Sequence, residues 1–425
     1  MKIILTLLCL SFYLPLLSQS NLKTDFNDIE EKVIKWRRYF HENPELSNRE
    51  FNTAKTIAKH LKDLGLEVTT GVAKTGVVGI LKGNEDGKVL ALRADIDALP
   101  VTERTNLPFK SEVKTTFLGK DVGVMHACGH DTHIAILMGV AEILSKNKDK
   151  IKGTVKFIFQ PAEEGAPEGE EGGAELMVKE NVLKNPDVDA IFGLHISAGN
   201  DVGTISYKPG GIMAASQSFK VNVKGKQSHG SRPWGGIDPI MISAKIIDAL
   251  QTIISREAEL TNEAAVITVG KIDSGVRSNI IPESAEMIGT IRTLDYDMQK
   301  QINERMKEMV PAIAKAYRAE ATIEIEKGYP ITYNNPELTA QMLPTLQKVA
   351  GESNVLLTKA VTGAEDFSFF AKEVPGLYFF LGGKPVDVPS EKAAPHHTPD
   401  FYIDESGLLL GVKTFIELTF DYLNN

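Results

Sequence analysis

The chain is short of cysteine: its 425 residues contain only Cys9 and Cys128, which excludes a dense disulfide framework. It also lacks an excess of positive charge. Lys and Arg number 47 against 56 Asp and Glu, and a net charge of −9 argues against nucleic acid or an anionic membrane as the main partner. There is no internal repeat and no long low-complexity tract. Beyond the first twenty residues, no run is long and apolar enough to span a bilayer. Hydrophobic residues at 42% and charged residues at 24% describe an ordinary globular chain, not a disordered or collagen-like one.

The N-terminus has the layout of a secretory signal. Lys2 precedes an apolar run from Ile3 to Leu17, and Ser18 and Ser20 offer a cleavage site. Residues 1–20 are therefore expected to be a signal peptide, and the protein to be exported to a periplasm or secreted. Cys9 would leave with that segment. Cys128 would then be a lone thiol in an oxidising compartment, a hazard unless buried or bound to something.

Periodicity divides the rest. Helical spacing of Phe26, Ile29, Val33 and Trp36 ends at Asn43-Pro44, and a second helix carries Ala54, Ile57, Ala58 and Leu61 as far as Gly65. Continuous apolar runs at Val77–Leu81, Val89–Leu92, Val155–Phe159 and Ala190–Leu194, with a helix over His133–Leu144, point to an α/β sheet covered on both faces. Past Gly210-Gly211 the pattern changes. Strands at Phe219–Val223, Ala265–Val269, Glu286–Arg292 and Ala321–Ile325 interleave with helices after Asp238-Pro239 and around Ile302–Ile313, giving the β-α-β-β-α-β order of a ferredoxin-like unit. The expected organisation is a catalytic α/β domain in two parts, 21–212 and 329–425, with an inserted α+β lid or dimerisation domain at 213–328.

Chemistry-bearing residues gather at strand ends. Met125–His133 holds three histidines, Cys128 and Asp131. Gln160–Gly165, with Glu163 and Glu164, follows one apolar run; His195 follows another; Arg93-Ala94-Asp95-Ile96-Asp97 follows a third. Open α/β sheets place ligand sites along the carboxyl ends of their strands. Thiolate, imidazole and carboxylate suit zinc and its transition-series neighbours, and two adjacent glutamates would repel without a cation beside them. Together these segments outline a dinuclear metal site. The glycine-rich acidic run around Glu168, Glu170, Glu171 and Glu175 reads as a solvated loop.

Several of these segments carry a family likeness. Arg38–Leu46, Arg93–Pro100, His126–His133, Gln160–Gly165, Gly193-Leu194-His195, Ser278–Pro282 and Gly363–Phe367 together resemble the aminoacylase and carboxypeptidase-G superfamily of dinuclear metallohydrolases, in particular its amidohydrolase branch, which includes hippurate hydrolase, N-acyl-amino-acid amidohydrolases and auxin-conjugate hydrolases. The resemblance implies two divalent ions (zinc, manganese, cobalt or nickel) held by Cys128, His130, Glu164, His195 and a C-terminal histidine. His396 and His397 both stand there, and the pattern fits His397-Thr398-Pro399-Asp400-Phe401. Glu163 would be the general base, and Asp95 would orient a ligand imidazole. His126 and His133 would be supporting or packing residues. His229 would donate to the developing oxyanion, from a partner subunit or after lid closure, and Asn279 and Arg292 would face a substrate carboxylate. The implied activity is cleavage of N-acyl amino acids, in a chain that could be a homodimer or homotetramer. A dipeptidase or carboxypeptidase with the same machinery, and a catalytically silent binding module, are the alternatives.

Overall fold

A computed structural model describes residues 26–425. The expected signal segment lies outside the described residues. No helix among them is long and apolar enough to cross a membrane.

The chain opens with helices α1 (Phe26–Glu42) and α2 (Phe51–Asp63), which bury Ile29, Val33 and Phe40, and Ile57, Ala58 and Leu61. Strands β1 (Glu67–Val72), β2 (Gly76–Lys82) and β3 (Glu85–Asp95) follow. Helix α3 (His130–Lys146) is buried on every face from His130 to Leu144, as a central helix with no polar stripe should be. It leads to β4 (Lys152–Gln160), β5 (Ala190–Asp201) and the short β6 (Ile205–Tyr207).

A separate unit built on a four-stranded sheet comes next. It consists of β7 (Ala215–Lys224), α4 (Pro239–Thr252), β8 (Ala265–Ser274), β9 (Ser284–Thr293), α5 (Tyr296–Ala316) and β10 (Glu320–Ile325). Its strands run in the order β8-β9-β7-β10, with all three pairings antiparallel, the ferredoxin-like arrangement. The unit has its own core, in which Phe219, Val221 and Val223 meet Ile242, Ile246, Ile302 and Met306. Asp238 and Asp295 cap the two helices by accepting backbone N–H bonds.

The chain then rejoins the larger sheet through α6 (Pro336–Ala350), β11 (Val355–Leu357), β12 (Gly376–Lys384) and α7 (Leu408–Asn424). That sheet has eight strands in the order β1-β2-β4-β3-β5-β12-β6-β11. Its centre is parallel, β4-β3-β5-β12, while β1, β2 and β6 pair antiparallel with neighbours, so the sheet is mixed. The parallel centre brings the carboxyl ends of β3 and β4 to one edge.

Two expectations need correction. His195 does not follow its strand but lies inside it, opposite Phe380, because β12 extends the ladder as far as Asp201. The acidic run is not simply solvated. Glu170 is bonded by Arg49 (2.6 Å), Lys74 (2.6 Å) and Asn48 (3.0 Å), which ties the loop after Glu163-Glu164 back to the start of the chain.

Candidate metal centre

The N-terminus of α3 sets the first donors. Gly129 has φ +93, and a Cβ there would fall 2.3 Å from Ile196 Cγ2, so only glycine allows the turn between Cys128 and His130. His130 begins the helix and Cys128 precedes it by two residues. β4 delivers Glu163 and Glu164 across Pro161-Ala162, and β5 delivers His195. The segment after β12 delivers His397, whose N–H bonds the Ala127 carbonyl at 2.8 Å.

These side chains converge. Cys128 Sγ lies 3.4 Å from His195 Nε2 and 3.3 Å from His397 Nε2. His397 Nε2 is 3.2 Å from Glu164 Oε1, and His130 Nε2 is 3.9 Å from both Glu163 Oε2 and Glu164 Oε1. Among the described residues five groups of donor atoms have the spacing of a cation site, and two of them, Cys128, His130 and His195, and Cys128, Glu164 and His397, share only the thiol.

Backbone hydrogen bonds decide which ring nitrogens are free. A carbonyl can only accept, so His130 Nδ1 donates to Asp97 O (2.9 Å) and His195 Nδ1 donates to Ile196 O (2.6 Å). His195, which burial holds well below its ordinary pKa, therefore presents an unprotonated Nε2 to the cluster, and His130 Nε2 reaches the cluster with no backbone partner. His130 Nε2 and Glu164 Oε1 are buried with no hydrogen-bond partner, as donors to a cation would be. His396 differs from its neighbour. Its Nε2 accepts the Ala198 N–H (3.1 Å) and its Nδ1 donates to Cys128 O (3.1 Å), so both nitrogens are spent and His397 alone offers one. His133 is likewise occupied: Nε2 accepts the Ile196 N–H and Nδ1 donates to Asp95 Oδ1 at 2.5 Å.

Asp95 accepts that last bond through Oδ1, and the same atom stands 3.8 Å from His130 Nδ1. Asp97 also serves His130, and Glu164 as well. Its carbonyl holds His130, and its Oδ2 accepts the Glu164 N–H at 3.0 Å and the Ser47 hydroxyl at 2.7 Å. Sequence reasoning missed Asp97 although it lay in a quoted motif, because the bonds come from residues 33 and 67 positions away. It also missed the buried Arg93, which bonds Asp95, Gln160, Glu365 and Asp366 beneath the site. Glu365 and Asp366 stand in the quoted Gly363–Phe367 segment.

The electrostatics call for cations. Burial, then Glu365 and Glu164, push the Glu163 carboxyl well above the usual carboxylate range. Burial, then Glu164 and Glu163, push the Cys128 thiol well up. Burial would lower His130, but Asp95 and Asp97 outweigh it and raise it to about 10. Divalent charge at the cluster would reverse each tendency, deprotonating thiol and carboxyl and displacing the proton from His130.

A cavity of about 650 Å³ opens beside the cluster, walled by Cys128, Glu163, Glu164, His195 and His397 on one side and by Met213, Arg292, Tyr329, Val361 and Phe380 elsewhere. Arg292 thus lines the cavity. His229 and Asn279 do not line it. His229 pairs with Ile280 in a two-residue ribbon, Ser228–His229 against Ile280–Ile281, Asn279 immediately precedes that ribbon, and both side chains are exposed.

Comparison with known proteins now decides the family. The model of "Peptidase family M20/M25/M40" matches residues 91–421. The chain belongs to this peptidase family. It is 44% identical to thermostable carboxypeptidase 2 of Saccharolobus solfataricus over 408 residues, covering 95% of this chain and 98% of that one. It is 36% identical to N-acetyl-L-cysteine deacetylase of Bacillus subtilis over 396 residues, covering 93% and 89%. Among solved structures, the Bacillus subtilis YXEP protein, a dinuclear metal binding peptidase from the M20 family, superposes with a TM-score of 0.78 at 35% identity, covering 94% of this chain and 99% of that one. As an M20/M25/M40 member the chain is a hydrolase of the metallopeptidase and amidohydrolase class, with an α/β catalytic domain and an inserted α+β domain.

Proposed function

We propose that this M20/M25/M40 protein hydrolyses the amide bond of N-acyl amino acids, with two divalent cations held by Cys128, His130, Glu164, His195 and His397. The observation that carries the reading is the pair of donor groups sharing the Cys128 thiol, with Glu163 at their margin and Arg292 in the same cavity. When bound, the cations supply the positive charge that acidifies a water molecule and polarises the amide carbonyl. The thiolate among the donors favours zinc over manganese, cobalt or nickel.

Glu163 is the proton carrier in this reading. As water oxygen bonds to the carbonyl carbon, Glu163 takes the water proton; as the carbon–nitrogen bond breaks, Glu163 delivers that proton to the leaving amine. The products are a carboxylic acid and a free amino acid. Arg292 receives the carboxylate of the amino-acid half. His229 accepts the Ser231 N–H (3.1 Å) on Nδ1, so its Nε2 carries the hydrogen and suits an oxyanion donor. Reaching the cavity would need movement of the inserted domain or a second copy of the chain, and Asn279 would travel with it. Export directed by residues 1–20 belongs to the same proposal.

A second reading, peptide cleavage at a free C-terminus, draws support from the 44% identity to a carboxypeptidase. It needs the same cluster and the same Arg292 contact. A panel of N-acetyl and N-benzoyl amino acids and dipeptides, assayed with and without chelator, separates the two. Glu163→Gln should keep its metal and lose turnover by roughly 10²–10⁴-fold. An active, metal-replete Glu163→Gln protein would sink the assignment of Glu163.

A further inference from the structure

The loop that carries Glu163 is held by side chains from three distant segments. Ala162 adopts φ +52, a left-handed conformation that costs a non-glycine residue and persists only where the surroundings enforce it. Its N–H bonds Glu50 Oε1 at 2.9 Å, and the other oxygen of that buried carboxylate accepts the Thr75 hydroxyl at 2.6 Å. Two peptides further on, the unit that joins Glu163 to Glu164 is gripped at both ends. Its N–H goes to Asp97 Oδ2 at 3.0 Å, and its carbonyl accepts the Tyr329 hydroxyl at 2.9 Å.

We propose that Tyr329 is a positioning residue for Glu163, acting through the Glu163 carbonyl and tying the aim of that carboxylate to the seating of the inserted domain. Tyr329 stands where the chain returns from that domain. Its carbonyl accepts the Ser216 N–H at 3.0 Å, so the returning segment is bonded beside the outgoing strand β7. Gly328 permits this crossing, since a Cβ there would fall 1.7 Å from the Ser216 carbonyl oxygen. The Tyr329 ring is fixed edge-on against Phe369, with ring centres 5.9 Å apart, and it forms part of the cavity wall. A shift of the inserted domain that moves Ser216 and Gly328 must therefore pull on the one hydroxyl that holds the Glu163 peptide. Glu50 and Asp97 lie on the catalytic domain and would not move with it.

The proposal rests on Glu163 being the proton carrier, and its test separates the two claims. Tyr329→Phe keeps the ring and its contact with Phe369 while removing the hydroxyl. The variant, wild type and Glu163→Gln are compared on two substrates with one acyl group: an N-acyl amino acid, whose alkylamine leaves only with a proton, and an N-acyl aminobenzoate, whose arylamine needs the proton less. A misaimed Glu163 slows both of its proton transfers, but the delivery to the amine weighs chiefly on the alkylamine substrate, so the loss there is the steeper. Tyr329→Phe should lose roughly tenfold in kcat on the alkylamine substrate and no more than about threefold on the arylamine one, with KM within about twofold and metal content unchanged. Equal losses on both substrates, a change confined to KM, or wild-type rates would overturn the proposal. If Glu163→Gln itself fails to show the steeper loss on the alkylamine substrate, the reading of Glu163 falls first, and with it the basis for Tyr329.

Discussion

His397 Nε2 lies 3.3 Å from Cys128 Sγ, although 269 positions separate the two residues in the chain. The contact closes the second donor group, and it exists because the His397 N–H is bonded to the carbonyl of Ala127, next to the thiol.

The adjacent histidines should therefore behave differently. His397→Ala should lose one of two metal equivalents and at least about 10²-fold in activity, as expected when an ion that stabilises transition-state charge is lost. His396→Gln removes bonds to Ala198 and Cys128 and should weaken stability while retaining both ions. Metal analysis of the two purified variants distinguishes them, and loss of an ion from His396→Gln alone would reverse the assignment.

Asp97 should matter to metal affinity without touching metal. It fixes His130 and the Glu164 peptide, and removal of such supporting bonds weakens metal binding by roughly 10–100-fold. Asp97→Ala deletes the side-chain part of that support. Titration with a competing chelator should show the shift for Asp97→Ala; wild-type affinity would mean the carbonyl contact alone suffices.

Away from the centre, His41 predicts a pH-dependent stability. Burial alone would lower its pKa, but bonds to Asp131 (2.8 Å) and Glu103 (3.2 Å) outweigh burial and raise it above the ordinary 6.5. Stability from a raised pKa is fully present below the unfolded value and is lost as pH rises through the folded one. Asp131 would keep Arg37 (2.9 Å) and Glu103 the Ser111 N–H (2.7 Å), so His41→Ala should cost about 1.5–3 kcal/mol below pH ~6, through the charge-assisted bonds it removes, and less in mildly alkaline solution. Denaturant unfolding at the two pH values checks this, and a constant difference would contradict it.

Arg292 makes a substrate-side prediction. If it receives the amino-acid carboxylate, Arg292→Ala should lower kcat/KM by roughly 10²-fold on N-acyl amino acids and much less on their C-terminal amides. Equal losses on both would place the carboxylate elsewhere.

Much of this site could be read from residue order, because parallel strands deliver their clusters to one edge and the β3, β4 and β5 runs are continuous enough to recognise. The inserted unit was readable for the complementary reason: alternation along Phe219, Val221 and Val223 marks a strand with one wet face. What could not be read depends on long-range hydrogen bonds. The resemblance favours His397 through its Thr398-Pro399 context, but the physical difference lies in the distant Ala198 N–H and Cys128 carbonyl that claim both nitrogens of His396. The part played by Asp97 depends on where His130 turns its Nδ1 and on the distant Glu164 N–H. Strand β12 escaped notice between its glycines, and with it the extension of β5 past His195. Glu50 and Tyr329 carry no motif signal; their importance lies in one peptide unit far from each in sequence.

The central claim is that five scattered donors hold a pair of cations on which hydrolysis depends. Its most direct test is metal content per chain, measured on the purified protein before and after exhaustive chelation, beside turnover of an N-acyl amino acid. Two divalent equivalents should be present, amide hydrolysis should vanish with their removal, and re-addition should restore it. Full turnover from a metal-free chain would contradict the account.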